Sequence, residues 1–269
     1  MALNIFRHEF RIKFRSALGW SAAIAGLILV FSAMFSSVAG QIESLNAFLA
    51  NYPKELLIAF GLNGVDLSTV LGFFSFIFLF IQICLAIQAA NYGFSLVSVE
   101  EADRTADFLL TKPVKRTQIM TSKLLAAVAG LTVTNGAVWA SSFVFLNLFK
   151  GDHGFDTSTL MLLLASIAIF QLFFLGVGLC VSLLVRRIRS VIPYSLTLAF
   201  GMYVLSAFGS QLGTSVLEKI TPFKHFEPAY VLAHKGYYPA LVVVSVVVIL
   251  ISIIGGYYLY SRRDVPAVS

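Results

Sequence analysis

Between Glu100 and Lys123 the chain reads Glu-Glu-Ala-Asp-Arg-Thr-Ala-Asp-Phe-Leu-Leu-Thr-Lys-Pro-Val-Lys-Arg-Thr-Gln-Ile-Met-Thr-Ser-Lys, acidic where it opens and basic where it closes. The chemistry this order suits is recognition. Asp103 or Thr105 can cap a short helix, acids in its first turn complement the helix dipole, and Pro113 drives Lys112 out of helical geometry and ends it. Thr117 is then placed to cap the helix that follows. Between these breaks Phe108, Leu109 and Leu110 form an apolar knob on a charged surface. Such a knob calls for the groove of a partner protein or for a bed of lipid headgroups.

Other residue types that could do chemistry are sparse. His8, His153, His225 and His234 show no His-Glu-x-x-His spacing and fall outside the long apolar runs, so they read as solvated histidines. Asp152, His153 and Asp156 could catch a cation, but a solvated polar turn is the stronger reading. Ser210 and other scattered serines lack a buried base, and no Gly-x-x-x-x-Gly-Lys-Ser/Thr loop is present to cradle phosphates. No catalytic, cofactor-binding or metal-ligating residue is assigned, and the chain is expected not to be an enzyme. Cys84 and Cys180 lie within apolar runs and read as small core hydrophobes.

Gln82, Gln88, Asn91, Asn135, Asn147 and Gln171 are polar groups inside apolar runs, where they mark either a translocation pathway or hydrogen bonds between helices. Gln88 and Asn91 fall about 60° apart on a helix, whereas Gln82 and Asn91 fall on opposite faces. That spacing makes no single polar stripe, so interhelical hydrogen bonding is the stronger reading. The lack of ionisable groups within the runs speaks against a proton relay.

The elements that hold these residues are set by charge. The 269 residues are 58% hydrophobic and only 12% charged, with a mean hydropathy of +0.88. Asp, Glu, Lys and Arg are absent from 16–42, 67–99, 124–149, 157–185, 190–217 and 236–261. Each run exceeds the roughly 20 residues that cross a bilayer's hydrocarbon core. A soluble globule is excluded, because too little charged surface remains to cover such a core. The expected fold is a single all-α integral membrane domain over 1–269 with six transmembrane helices, near 17–39, 69–99, 121–149, 158–185, 191–212 and 239–260. The second, at about 31 residues, rises roughly 46 Å against a hydrocarbon thickness of about 30 Å, and so tilts or projects. Segments around 41–67 and 213–238 carry Pro53, Pro222, Pro228 and aromatic residues. They read as short semi-apolar external helices before the second and sixth spans.

The net charge of +6 raises the question of a nucleic-acid partner, and the placement of the charges answers it. With all six runs spanning, fourteen Lys and Arg residues fall on the side of the termini and five (Lys54, Lys150, Lys219, Lys224 and Lys235) on the other. The positive-inside rule then puts both termini in the cytoplasm, and the basic residues face anionic headgroups with no nucleic acid implied. Ser37-Val38-Ala39 has the look of a signal-peptide cleavage site, but the apolar stretch from Ala17 is too long for a signal core. Ahead of it, Leu3, Phe6, Phe10, Phe14 and Ala17 share an arc of about 80°, with Arg7, His8, Arg11 and Arg15 beside them. This describes an amphipathic helix in the cytoplasmic headgroup layer, the alternative being a plain charged flank.

At the 100–117 loop the chain resembles the ABC-2 type permeases, the membrane subunits of a class of ATP-driven exporters. Their first cytoplasmic loop runs through acidic residues, Thr, a Leu-Leu pair, a small or polar residue, Pro, Val, a basic residue and a closing Lys. Glu100, Glu101, Thr105, Leu109, Leu110, Thr111, Pro113, Val114, Arg116 and Lys123 fall on that pattern, while Arg104 stands where the family often has Gly. The amphipathic start, the six spans and Thr221-Pro222-Phe223 before the last span extend the likeness along the chain. The resemblance implies that Thr105 to Pro113 is a coupling helix docking on a separate ATPase subunit, which binds ATP and Mg; this chain would bind no cofactor. In that role Phe108, Leu109 and Leu110 would be the anchor, with Asp103, Arg104, Asp107, Lys112 and Arg116 as a charged rim and Thr111 beside them. It also implies a second permease subunit, identical or homologous. A membrane scaffold that docks some other cytoplasmic protein is the alternative.

Overall fold

The computed structural model describes residues 2–41, 49, 51–62, 64–102, 115–185, 188–212 and 215–262. These fold into α1 (Ala2–Ala39), α2 (Lys54–Ala59), α3 (Val70–Ala102), α4 (Arg116–Phe149), α5 (Thr157–Leu184), α6 (Val191–Leu212), α7 (Ser215–Ile220), α8 (Pro222–His225), α9 (Pro228–His234) and α10 (Pro239–Arg262). Proline marks where helices begin: Pro53 precedes α2, Pro193 lies in the first turn of α6, and Pro222, Pro228 and Pro239 open α8, α9 and α10. A first-turn proline forfeits no helical hydrogen bond. By contrast α1, α3, α4 and α5 contain none and run uninterrupted for 38, 33, 34 and 28 residues. Six helices (α1, α3, α4, α5, α6 and α10) are long and apolar enough to cross a membrane, and no strand occurs among the described residues. The chain is an all-α, multi-pass membrane protein. The side where α1 begins and α10 ends is called the near face below; the opposite side is the far face.

The parallel pair α3 and α5 forms the centre. Their closeness rests on glycine: a Cβ on Gly93 would stand 2.3 Å from the Leu175 carbonyl oxygen, and one on Gly178 would stand 3.0 Å from that of Ala90. Close backbone approach through small residues is how helices associate where lipid is as apolar as any side chain. Phe94, Phe170, Phe173 and Phe174 pack around this crossing, while Phe74 and Phe78 belong to a second core toward the far face. Helix α10 packs on α5, with Gly176 against Ser252, and α6 packs on the other side of α3. Helices α1 and α4 pair along their length in the same direction. Lys13, Ala17, Ser21, Ile24, Ile28 and Ser32 of α1 are buried, as are Gly130, Thr134, Val138 and Ser142 of α4.

Two features differ from expectation. The amphipathic opening and the first span are one continuous helix, not a headgroup-layer helix followed by a separate span. Its first turns are not left to the headgroups, because α4 reaches equally far and walls them: Leu3 and Phe6 face the stretch from Thr117 to Leu125. Phe6 stacks on Phe10 at 5.8 Å and Phe10 on Phe14 at 5.7 Å, while Arg7, Arg11 and Arg15 stay exposed. Helix α4 also begins at Arg116, so Thr117 is not its cap. Lys115 takes that place, its N–H donating to the Gln118 side chain at 3.4 Å.

Candidate functional site

At the near face the last turn of α3 and the first of α4 bracket the 103–114 segment. The expected docking residues Asp103, Arg104, Thr105, Asp107, Phe108, Leu109, Leu110, Thr111, Lys112 and Pro113 lie outside the described residues. Arg116 is within them and reaches the Ser261 carbonyl of α10 at 3.5 Å. Thr121 adds a second tie to α10 through the Tyr257 hydroxyl at 2.8 Å. Just inside this surface two lysines turn inward onto α3. Lys13 of α1, 7% exposed, hydrogen-bonds the Ser95 hydroxyl with its amine 4.8 Å from the centroid of the Tyr92 ring, and Tyr92 donates back to the Lys13 carbonyl at 3.0 Å. Lys123 of α4, 2% exposed, donates to the Leu96 carbonyl at 2.6 Å. Long basic side chains near a helix end ordinarily snorkel to the headgroups. Here they instead fasten α1 and α4 to the last turns of α3 before the loop. A Cβ on Gly130 would lie 3.1 Å from both Lys13 and Tyr92, so this glycine lets the three helices meet.

Deeper in the bundle the amides divide. Gln88 donates to the Thr134 hydroxyl at 2.7 Å and to Tyr92 at 3.4 Å, and accepts from Gln171 at 3.4 Å. A polar seam therefore joins α5, α3 and α4 and continues through Tyr92 to α1. Gln82 is apart from it, donating to the Phe226 carbonyl at 3.0 Å. Asn91 is half-buried on α3, Asn135 keeps a buried carbonyl oxygen without a hydrogen bond, and Asn147 bonds back to the Phe143 carbonyl. The side-chain oxygens of Gln82 and Gln171 are likewise buried and without a hydrogen bond. Gln88 and Gln171 are brought together; Gln82, Asn91 and Asn135 do not join them.

At the far face α7, α8 and α9 form a re-entrant hairpin. Its tip, Thr221-Pro222-Phe223, drops deep among the spans: Phe223 packs on Phe170 at 5.1 Å and on Phe174 at 5.9 Å, residues about 20 and 26 Å along α5 from its far end. Thr221 caps α8 and bonds the Met202 carbonyl at 2.9 Å, and Gln82 holds the other side of the tip. The hairpin carries charge inward. Burial opposes the charge on Lys224, but Glu227 at 2.7 Å and Glu218 at 3.7 Å outweigh it and hold the amine above the ordinary lysine range. The expectation of a bundle without interior ionisable groups is thus corrected, because a loop in the sequence is interior in the fold.

The histidine assignment is corrected too. His225 is 1% exposed, its Nδ1 2.6 Å from the Ser245 hydroxyl and its Nε2 donating to the Lys219 carbonyl at 3.2 Å. Burial pushes its pKa below the ordinary histidine value. Asp156 has a structural post as the N-cap of α5. It accepts from the Ser158 hydroxyl and N–H and from Thr159, and pairs with Lys235 at 3.0 Å, which together hold its carboxyl far below the usual range. No cluster of three or more potential metal ligands occurs among the described residues.

A long first helix, a seam through the bundle and a re-entrant hairpin before the last span are the geometry against which the sequence comparison stands. The family described as multidrug efflux system permease Rv1217c, C-terminal domain, matches residues 7–258, from the second turn of α1 to the last turns of α10. The chain belongs to that family. It is a membrane permease, and no curated protein and no solved structure matches it.

Several residues that organise the permease were not picked out by sequence reasoning. Lys13 falls about 20° from Phe6 on the α1 wheel, at the edge of the apolar arc, and that position was the available signal. Thr134 and Tyr92 carried none, since single hydroxyls in an apolar run are common. His225 could have been suspected only from Thr221-Pro222-Phe223, whose burial depends on the hairpin's descent.

Proposed function

We propose that this permease is the membrane-spanning subunit of an ATP-driven exporter of the ABC-2 type. ATP and Mg are bound and ATP is hydrolysed by a separate nucleotide-binding subunit, and this chain is not itself an enzyme. Two permease subunits, identical or homologous, enclose the translocation route, and the cargo is of the class that the family's description gives, drugs. The near face is cytoplasmic and the protein resides in the plasma membrane, on the fourteen-to-five distribution of basic residues.

What supports this reading is sequence order: Phe108-Leu109-Leu110 falls between α3 and α4. Helices α3 and α4 are each about 50 Å long, well beyond the hydrocarbon thickness, so a partner gripping the segment between them holds two long rods. Through Lys13, Lys123 and Gln88 any displacement of α3 is passed to α1, α4 and α5. That linkage suits rigid-body rocking of the spans. Charged residues around the knob, Asp103, Arg104, Asp107, Lys112 and Arg116, would set partner choice.

The test is the double variant Leu109→Asp, Leu110→Asp, which should insert normally in the membrane but lose its co-purifying ATPase subunit. A variant that keeps the ATPase would remove the knob from the interface.

A further inference from the structure

We propose that a small cavity where the hairpin meets α2, α3 and α6 binds one monovalent cation. The cavity holds about 40 Å³, room for a sodium-sized ion with a water or two. Glu227 lines it, together with Ser75 and Leu79 of α3, Tyr203 and Ser206 of α6 and Ala59 of α2.

The lining identifies its occupant by what it offers, which is acceptors. Ser75, 3% exposed, donates its hydroxyl proton to the Gly72 carbonyl at 2.7 Å, and Tyr203 donates its own to the Ala59 carbonyl at 2.9 Å. Lone pairs are what those two hydroxyls have left. Glu227 stands at the head of α9 without capping it, and Lys224 takes its Oε2. Its Oε1 accepts no hydrogen bond among the described residues. Among the described residues, none that lines the cavity is Lys, Arg or His.

Charge then separates an ion from water. Lys224 serves two carboxylates, Glu227 at 2.7 Å and Glu218 at 3.7 Å, so the cluster keeps one negative charge in excess. Ser75 and Leu79 set the cavity about 8 to 14 Å along α3 from its far end. Excess charge at that depth is costly, and a cation beside Glu227 offsets it where water only hydrogen-bonds. A single excess charge suits a monovalent ion, since calcium sites ordinarily gather several carboxylates. The bound ion would tie the hairpin to three helices at once.

The test measures sodium on the intact permease in detergent, with choline chloride holding the ionic strength constant. Radiolabelled sodium should bind saturably at about one ion per chain and raise the unfolding temperature in step with occupancy. Glu227→Gln should weaken sodium binding about tenfold or more, and Ser75→Ala, which leaves both ion pairs in place, about threefold. Lys224→Gln should act the other way and tighten it at least about threefold, because a second carboxylate is then unpaired. An ion pair with a merely structural role gives no such gain. Size exclusion in choline alone establishes which variants fold, and any one that does is enough to decide. Absence of saturable binding would leave the cavity to water and overturn the proposal. So would unchanged binding in folded Glu227→Gln or Ser75→Ala, or weaker binding in Lys224→Gln. Displacement by calcium at about a hundredth of the sodium concentration would mark a divalent site and overturn it too. The measurement involves the permease alone, so its outcome is independent of any ATPase partner.

Discussion

His225 shows how one side chain ties a hairpin to the bundle. Its ring nitrogens reach Ser245 on α10 and Lys219 on α7, with the edges of Phe173 and Phe226 around it. Burial favours the neutral ring, in which Nε2 donates to the Lys219 carbonyl and Nδ1 accepts from Ser245. Because burial holds the folded pKa low, the unfolded chain takes up this proton first, near pH ~6.5. The site's contribution to stability is whole above that value and is lost as the pH falls from it toward the lower folded pKa. Thermal unfolding in detergent at pH 7.5 and 5.5 should show the loss, and His225→Gln should flatten the difference between the two. An unchanged difference would assign the acid limb to another group. Asp156 acts in a separate window: its carboxyl is held low, so its support is lost only as the pH falls below the ordinary carboxylate range of about 4.

At the scale of elements, the α3–α5 crossing is set by absence of side chain. Gly93→Ala would place a methyl group 2.3 Å from the Leu175 carbonyl oxygen, where neither backbone can yield without parting the helices. It should cost about 1–3 kcal/mol in unfolding free energy, read from denaturant titration in detergent. Gly201→Ala on α6 meets nothing within 4 Å and should be neutral or slightly stabilising. Equal effects at the two positions would mean that the crossing is looser than described. The number and placement of the spans were legible in the sequence because hydrocarbon admits so few charges. Continuity was not: whether Ala17 begins a helix or continues one depends on α4 standing beside Leu3 and Phe6, and no periodicity within residues 2–16 carries that. The same holds for the hairpin, whose proline-led helices were legible as short elements while their depth was fixed by partners such as Gln82 and Phe170, far away in sequence.

On the scale of the whole molecule, the polar features fall in three tiers: lysine ties to α3 at the near face, the Gln88–Gln171 seam midway, and the charged hairpin descending from the far face. The seam was partly legible, since Gln88 and Gln171 stood out as amides in apolar runs, but their meeting is a property of the helix arrangement. Membrane orientation is open to direct measurement. Asp152→Cys, in the exposed turn after α4, should react with an impermeant maleimide added to intact cells, and Lys115→Cys only after the membrane is opened. The reverse pattern would invert the topology and place the knob outside the cell.

The parallel pairing of α1 with α4 also constrains how the protein is made. When α1 leaves the ribosome, neither α3, whose Ser95 and Tyr92 receive the Lys13 amine, nor α4, whose Gly130 lies beside it, has yet been translated. For the time needed to synthesise the intervening chain, a lysine that ends up interior has only lipid, water or the insertion machinery for company. A chain that stalls before Ser95 therefore displays a Lys13 amine without its hydrogen-bond partner on a membrane helix.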